Sequence, residues 1–284
     1  MSKFLYLLLL IPSLINAAAI PENGLSRPVS AKSNNEEKIF NTLIDKVEKA
    51  YRPYIESYSK EFNVERYWDD PKVNAAAWIK GDSYNFKIYG GLFRFETISH
   101  DAFLLVACHE VGHLIGGAPT YKPFNDGSSE GQADYFSITK CFRKVVRGED
   151  HKKTLRGKSL EPLAIKECEL SFFKKSEDYQ ICLRSSVAIK DMAKTLKAIS
   201  NISEVPSINT PDPYERMFII FNGYPNPQCR IDTLFAGSLC NVSEEEENDF
   251  YLKLYNKGNC AVANGDQRGL RPKCWYVPRE EDKV

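Results

Sequence analysis

The five residues His109-Glu110-Val111-Gly112-His113 constrain the fold of this chain more than any other stretch. They follow an apolar run, Phe103-Leu104-Leu105-Val106-Ala107, with no helix breaker in it. Residues four apart lie one above the other on a helix, so a helical segment brings the two imidazoles to within reach of one ion, whereas a strand would hold them about 13 Å apart. The pattern predicts a helix from about Ala102 to Ile115, capped by Asp101 and ended by Gly116-Gly117.

Two imidazoles one turn apart can reach a single ion at about 2.0–2.1 Å. Glu110 sits one step round from His109, near enough to work on a water beside that ion without being a ligand itself. The chain has four His in all, and two of them are in this motif. A catalytic zinc takes three protein ligands and keeps one position open. Glu130 can supply the third, because it opens a second predicted helix that runs to about Val146 behind a cap at Ser128 or Ser129. Asp134 lies one turn further on the same face, where it can accept the second N–H of a ligand His and fix its tautomer. His109, His113 and Glu130 are thus the expected ligands of one zinc per chain, with Asp134 behind them and Glu110 as general base.

H-E-x-x-H followed by E-x-x-x-D resembles the gluzincin metallopeptidases. Val73-Asn74-Ala75 and Tyr89-Gly90-Gly91-Leu92 before the motif are similar to segments of the CAAX-prenyl-protease and HtpX-like peptidases and their periplasmic relatives, as is Tyr224-Pro225-Asn226-Pro227-Gln228-Cys229-Arg230-Ile231 after it. The similarity runs from about Val73 to Ile231. It implies an α+β, mainly helical fold: a zincin-like core with a small edge-stranded sheet and an irregular, disulfide-rich C-terminal region. It further implies a zinc-dependent endopeptidase acting on proteins or peptides, with backbone groups near Asn74 to Trp78 holding an extended substrate as an added strand. Tyr224, which stands where that family has His, or Arg230 would steady the oxyanion, with Tyr121 as an alternative donor.

The first residues have the three-part pattern of a secretory signal peptide: Lys3, an apolar run from Phe4 to Ile15, and an A-x-A site at Ala17-Ala18-Ala19. The run is shorter than the roughly 20 residues a membrane helix needs. The expected organisation is a signal peptide over 1–19, a flexible lead over 20–36 and a single domain over 37–284. Its core lies at about 73–231 and its Cys-rich part at about 225–284. The expected location is periplasmic or secreted. Eight cysteines fit export, since an even number in an oxidising compartment suggests disulfides. The expected pairs are the sequence-close Cys168–Cys182, Cys229–Cys240 and Cys260–Cys274, with Cys108 and Cys141 either paired or buried and reduced. The 38 basic and 38 acidic residues cancel, so no net field points to nucleic acid or an anionic membrane as partner.

Elsewhere the periodicity predicts a helix from Glu36 to about Tyr58, kinked or divided at Pro53. It predicts a strand–turn–strand over Val73 to Arg94, a loop over 147–160, helix from Glu161 to Ser200 and a connection over 201–212. Glu244 to Glu247 read as a solvated acidic run, and His100 and His151 as surface or cap residues. Two other readings compete with the enzyme: a zinc-bearing binding protein on a peptidase scaffold, and a disulfide-rich structural protein with an accidental motif. The intact Glu110 favours the enzyme, because a protein that hydrolyses nothing has little need of it.

Overall fold

The computed structural model describes residues 20–29, 34–121, 127–246, 248 and 254–278. The expected signal peptide lies outside them. The chain is α+β and mainly helical, as the periodicities require. Helix α1 (Asn34–Ser57) runs through Pro53 without dividing, and its apolar face (Phe40, Ile44, Val47, Tyr51, Ile55) is buried. Strands β1 (Glu61–Tyr67), β2 (Ala75–Lys80) and β3 (Ser83–Tyr89) form one sheet in the order β1-β3-β2. The β2–β3 hairpin is the expected strand pair, joined antiparallel with Ala77 opposite Phe86. β1 was not expected. It pairs in parallel with β3, Phe62 opposite Tyr84, through a short alternating segment in which only Phe62 is buried.

A short helix α2 (Gly90–Phe93) leads to α3 (His100–Ile115), the buried axis of the molecule. Its cap is Ser99, whose side chain accepts from the Ala102 N–H, and not Asp101. Asp101 instead binds the Arg184 guanidinium through both oxygens. Every residue of α3 from Ala102 to Ile115 is buried. A helix apolar on all sides must be packed on all sides. α3 accordingly touches α1, the hairpin, the helices on either side of it in sequence, and later helices. Each buried Leu, Phe or Ile contributes about 1.5–3 kcal/mol, which offsets the cost of placing three polar side chains on the same helix.

After the loop come α4 (Glu130–Phe136), a π-helical turn (Ser137–Phe142) and α5 (Arg143–Val146), which together replace the one helix expected over this stretch. The expected loop over 147–160 contains α6 (His151–Leu155). The helical stretch beyond divides at Phe172–Ser176 into α7 (Pro162–Ser171) and α8 (Glu177–Ser200). The C-terminal region is not wholly irregular, since α9 (Pro227–Ser238) begins at an Asn226 cap with Pro227 in its first turn.

Four disulfides join Cys108–Cys141, Cys168–Cys182, Cys229–Cys274 and Cys240–Cys260. The second matches expectation, and the last two replace the sequence-close pairs. Cys229 lies in the first turn of α9 and Cys240 beyond its end. The helical rise from Cys229 to Ser238 alone is about 14 Å, too far for a disulfide. Two further expectations differ. Residues 20–29 are no loose lead: Ile20 is fully buried, Asn23 Nδ2 donates to the Val73 carbonyl at 3.1 Å, and the Arg27 N–H donates to Pro71 at 2.8 Å. Glu244 is buried, paired with Arg147 and Arg143, so the acidic run is anchored at its first residue. No helix among the described residues is long and apolar enough to cross a membrane.

Candidate metal centre

α3 presents His109 and His113 one turn apart, with ring centroids 4.5 Å from each other. α4 crosses it so that its first residue, Glu130, meets both imidazoles. Gly112 makes this crossing possible, because a Cβ there would stand 2.9 Å from the Ala133 carbonyl oxygen and 3.0 Å from its Cα. The disulfide Cys108–Cys141 ties α3, beside His109, to the π-helical turn that follows α4.

Glu130 Oε2 lies 3.2 Å from His109 Nε2, and Oε1 lies 3.6 Å from His113 Nε2. The first distance is short enough for an ion pair, yet the atoms are not aligned for a hydrogen bond. His109 Nε2, His113 Nε2 and Glu130 Oε2 are all buried without a hydrogen-bond partner. Three such orphans converging within 4.8 Å of one another would be costly unless a cation sat between them. Ligands at about 2.0–2.1 Å around a tetrahedral zinc stand about 3.3–3.4 Å apart, close to the 3.2 Å between His109 Nε2 and Glu130 Oε2. The three residues therefore fit a metal ion. Asp212, Cys229 and Cys274 also lie close together, but both cysteines are spent in a disulfide.

Each of the three side chains has its own outer partner. His109 Nδ1 is 2.7 Å from Asp134 Oδ1, and His113 Nδ1 is 2.8 Å from the Ser128 carbonyl oxygen. Both partners are acceptors, so each ring donates from Nδ1 and turns the Nε2 lone pair towards the centre. Glu130 Oε1 accepts the Tyr121 hydroxyl at 2.7 Å. Asp134 is itself gripped by Arg230, whose Nε and Nη2 each donate at 2.7 Å.

The electrostatics match a site built for positive charge. Burial opposes a charged His109, but Asp134 and Glu130 outweigh it and raise the imidazole pKa. Burial likewise opposes ionised Glu130 and Asp134. The two imidazoles beside Glu130, and Arg230 with His109 beside Asp134, nonetheless hold both carboxyls below their ordinary range. Burial and the nearby carboxylates push the hydroxyl pKa of Tyr121 and of Tyr224 up, which keeps both as donors.

The structure thus brings His109, Glu110, His113, Glu130 and Asp134 into one place, all at most 3% exposed. Tyr224 joins them from the segment before α9, its ring 5.7 Å from the Arg230 guanidinium and 38% exposed. Arg230, expected beside the reacting carbonyl, is instead 2% exposed and turned to Asp134. Tyr121, the alternative oxyanion donor, gives its hydroxyl to Glu130. The Ser128 carbonyl was not foreseen; it is a backbone group in a loop and leaves no mark in side-chain pattern. Of the two remaining histidines, His100 is exposed as expected, whereas His151 is buried between Arg184 and Glu177. Comparison with protein-family models, curated proteins and solved structures finds no match to this chain.

Proposed function

We propose that this protein is an exported zinc peptidase of gluzincin type with a zincin-like core, cleaving peptide bonds in proteins or peptides. The observation that carries the proposal is the convergence of three orphaned donor atoms from His109, His113 and Glu130 beside the acid Glu110 on the same helix. Four disulfides support export, since they persist in oxidising compartments.

A zinc held by His109, His113 and Glu130 would polarise the scissile carbonyl and acidify water. Glu110 takes the proton of the attacking water on its carboxylate and returns it to the departing amine. Tyr224 is the side chain suited to the oxyanion, because it reaches the centre beside Arg230, is 38% exposed, and carries a neutral hydroxyl that can donate a hydrogen bond. Arg230 acts through Asp134, holding the carboxylate that orients His109. β2 is an edge strand. The Tyr89 N–H donates to the Asn74 carbonyl, so by alternation Ala75 and Ala77 turn their backbone groups away from β3. Asn74 Oδ1 accepts the Ala75 N–H at 2.8 Å and Ala77 is 1% exposed, so an added strand would pair at Ile79, the next residue turned outward and only half-buried.

A second reading is a metal centre without turnover, favoured by the depth of Glu110, which is 0% exposed. Two measurements on the purified protein separate the two. Elemental analysis should find one zinc per chain. Glu110→Gln should keep that zinc while hydrolysis of an unstructured protein falls about 10²–10⁴-fold. Zinc with no hydrolysis in the wild type would establish the second reading, and no zinc after reconstitution would end both.

A further inference from the structure

Glu130 has two carboxylate oxygens, and they are not equivalent. Oε1 accepts the Tyr121 hydroxyl at 2.7 Å although it stands 3.6 Å from His113 Nε2, near enough to the centre to coordinate if released, while Oε2, 3.2 Å from His109 Nε2, is buried with no hydrogen-bond partner. Tyr121 also lays its ring against His113, with centroids 5.9 Å apart and planes 24° from parallel. One side chain therefore touches two of the three residues that converge on the centre, and it is itself 7% exposed.

The placement of Tyr121 is held from behind. Its N–H donates to the Gly127 carbonyl at 2.9 Å, and Thr120 bridges to Ser128 in antiparallel fashion. The Ser129 N–H donates to Pro119 at 2.8 Å, and the Ser128 N–H donates to His113 at 2.9 Å. The two strands of this bridge divide the work, Ser128 giving its carbonyl to His113 Nδ1 and Tyr121 its hydroxyl to Glu130. His109 takes its outer partner from α4 instead, through Asp134.

We infer that Tyr121 is a positioning residue for the metal ligand Glu130: by occupying Oε1 it presents Oε2 to the ion and limits the carboxylate to one coordinating oxygen. The inference rests on the metal reading above. A phenol is suited to this task. It stays neutral beside a carboxylate and donates without cancelling the ligand's charge, as Lys or Arg would. A carboxylate free of such a bond swings about its terminal torsion and can offer both oxygens to one cation. Partners outside the ligand set generally change metal affinity about 10–100-fold when removed.

The test compares the full chain with Tyr121→Phe, which keeps the ring on His113 and removes the hydroxyl. Zinc affinity is read by competition with a chromophoric chelator, and coordination by the visible absorption of the Co²⁺-loaded protein. Tyr121→Phe should bind zinc about 10–100-fold more weakly. Its Co²⁺ bands should lose intensity, as they do when a fourfold site gains a fifth ligand. The zinc-loaded Tyr121→Phe protein should lose more melting temperature against wild type than the metal-free one does. Zinc affinity within about twofold of wild type, with unchanged Co²⁺ bands, overturns the inference while leaving the metal reading intact. A weaker affinity matched by an equal loss of metal-free stability assigns Tyr121 to packing and also overturns it. A wild-type chain that binds neither ion overturns the metal reading and this inference together.

Discussion

Arg230 and Asp134 meet across 96 positions of sequence, with both side chains almost wholly buried. Burial strips both charges of water, and the bidentate contact compensates because its geometry is good. Asp134 has a second task, since its Oδ1 also receives His109 Nδ1. Without the guanidinium, a buried carboxylate would face the imidazole with only that ring to balance it. Arg230→Met should therefore destabilise the fold by about 3–5 kcal/mol in denaturant titrations. It should weaken zinc binding as well, because Asp134 would no longer be held against His109. Unchanged zinc affinity in that variant would confine Arg230 to a structural role. The three residues that could hold an ion, by contrast, were legible in the sequence. His109 and His113 follow from a four-residue spacing, and Glu130 and Asp134 from the same spacing on the next helix. The partners of Tyr121 and Arg230 were not legible, because neither contact lies within one helical turn.

At the scale of elements, the centre depends on how closely α3 and α4 approach. Gly112 lies between the two ligand histidines and faces the Ala133 backbone. A methyl group there would press on main chain, which cannot rotate aside as a side chain can. Gly112→Ala should push α4 away from α3, draw Glu130 back from the imidazoles and weaken zinc binding more than it lowers the metal-free melting temperature. A variant with native zinc affinity would show that the helices absorb the change elsewhere. Gly131 makes a second close approach, since a Cβ there would meet the Trp275 ring at 2.3 Å. That contact joins the start of α4 to the C-terminal region, which Cys229–Cys274 ties back to α9. The α3 and α4 segments were legible because each carries its own period and punctuation. β1 was not, because its parallel pairing with β3 skips the intervening strand.

Across the molecule, ion pairs bind the outer helices to the core. Arg184 on α8 bridges Asp101 of α3 and Glu149, and Glu149 also meets Lys46 of α1. Asp178 joins Arg147 and Arg143. Burial pushes the Glu149 and Asp178 carboxyls up, but Lys46 and Arg184 on one, and Arg147 and Arg143 on the other, hold them below their ordinary 4.5 and 3.8. A carboxyl whose folded pKa is lowered stabilises the fold fully above its unfolded value and loses that contribution as pH falls through the folded one. Melting temperature should therefore change little through these groups between about pH 7 and about pH 5, then fall as pH drops below about 4.5. Arg184→Met should lower stability at neutral pH and flatten this acid limb. An acid limb as steep as that of the wild type would remove the Arg184 cluster as its cause.

The sequence by itself determined the helix that carries the two histidines, the acid beside them, the helix that opens on Glu130, and the β2–β3 hairpin. Each of these rests on neighbours within a turn or a strand pair, and such short-range order is written in spacing. Only the tertiary structure decided how Cys229, Cys240, Cys260 and Cys274 pair, that residues 20–29 pack against the body, that Glu244 is buried, and that Tyr121 and Arg230 serve as outer partners at the centre. These depend on how close-packed elements settle against one another, where side chains many residues apart are brought together by the burial of apolar surface rather than by any local pattern.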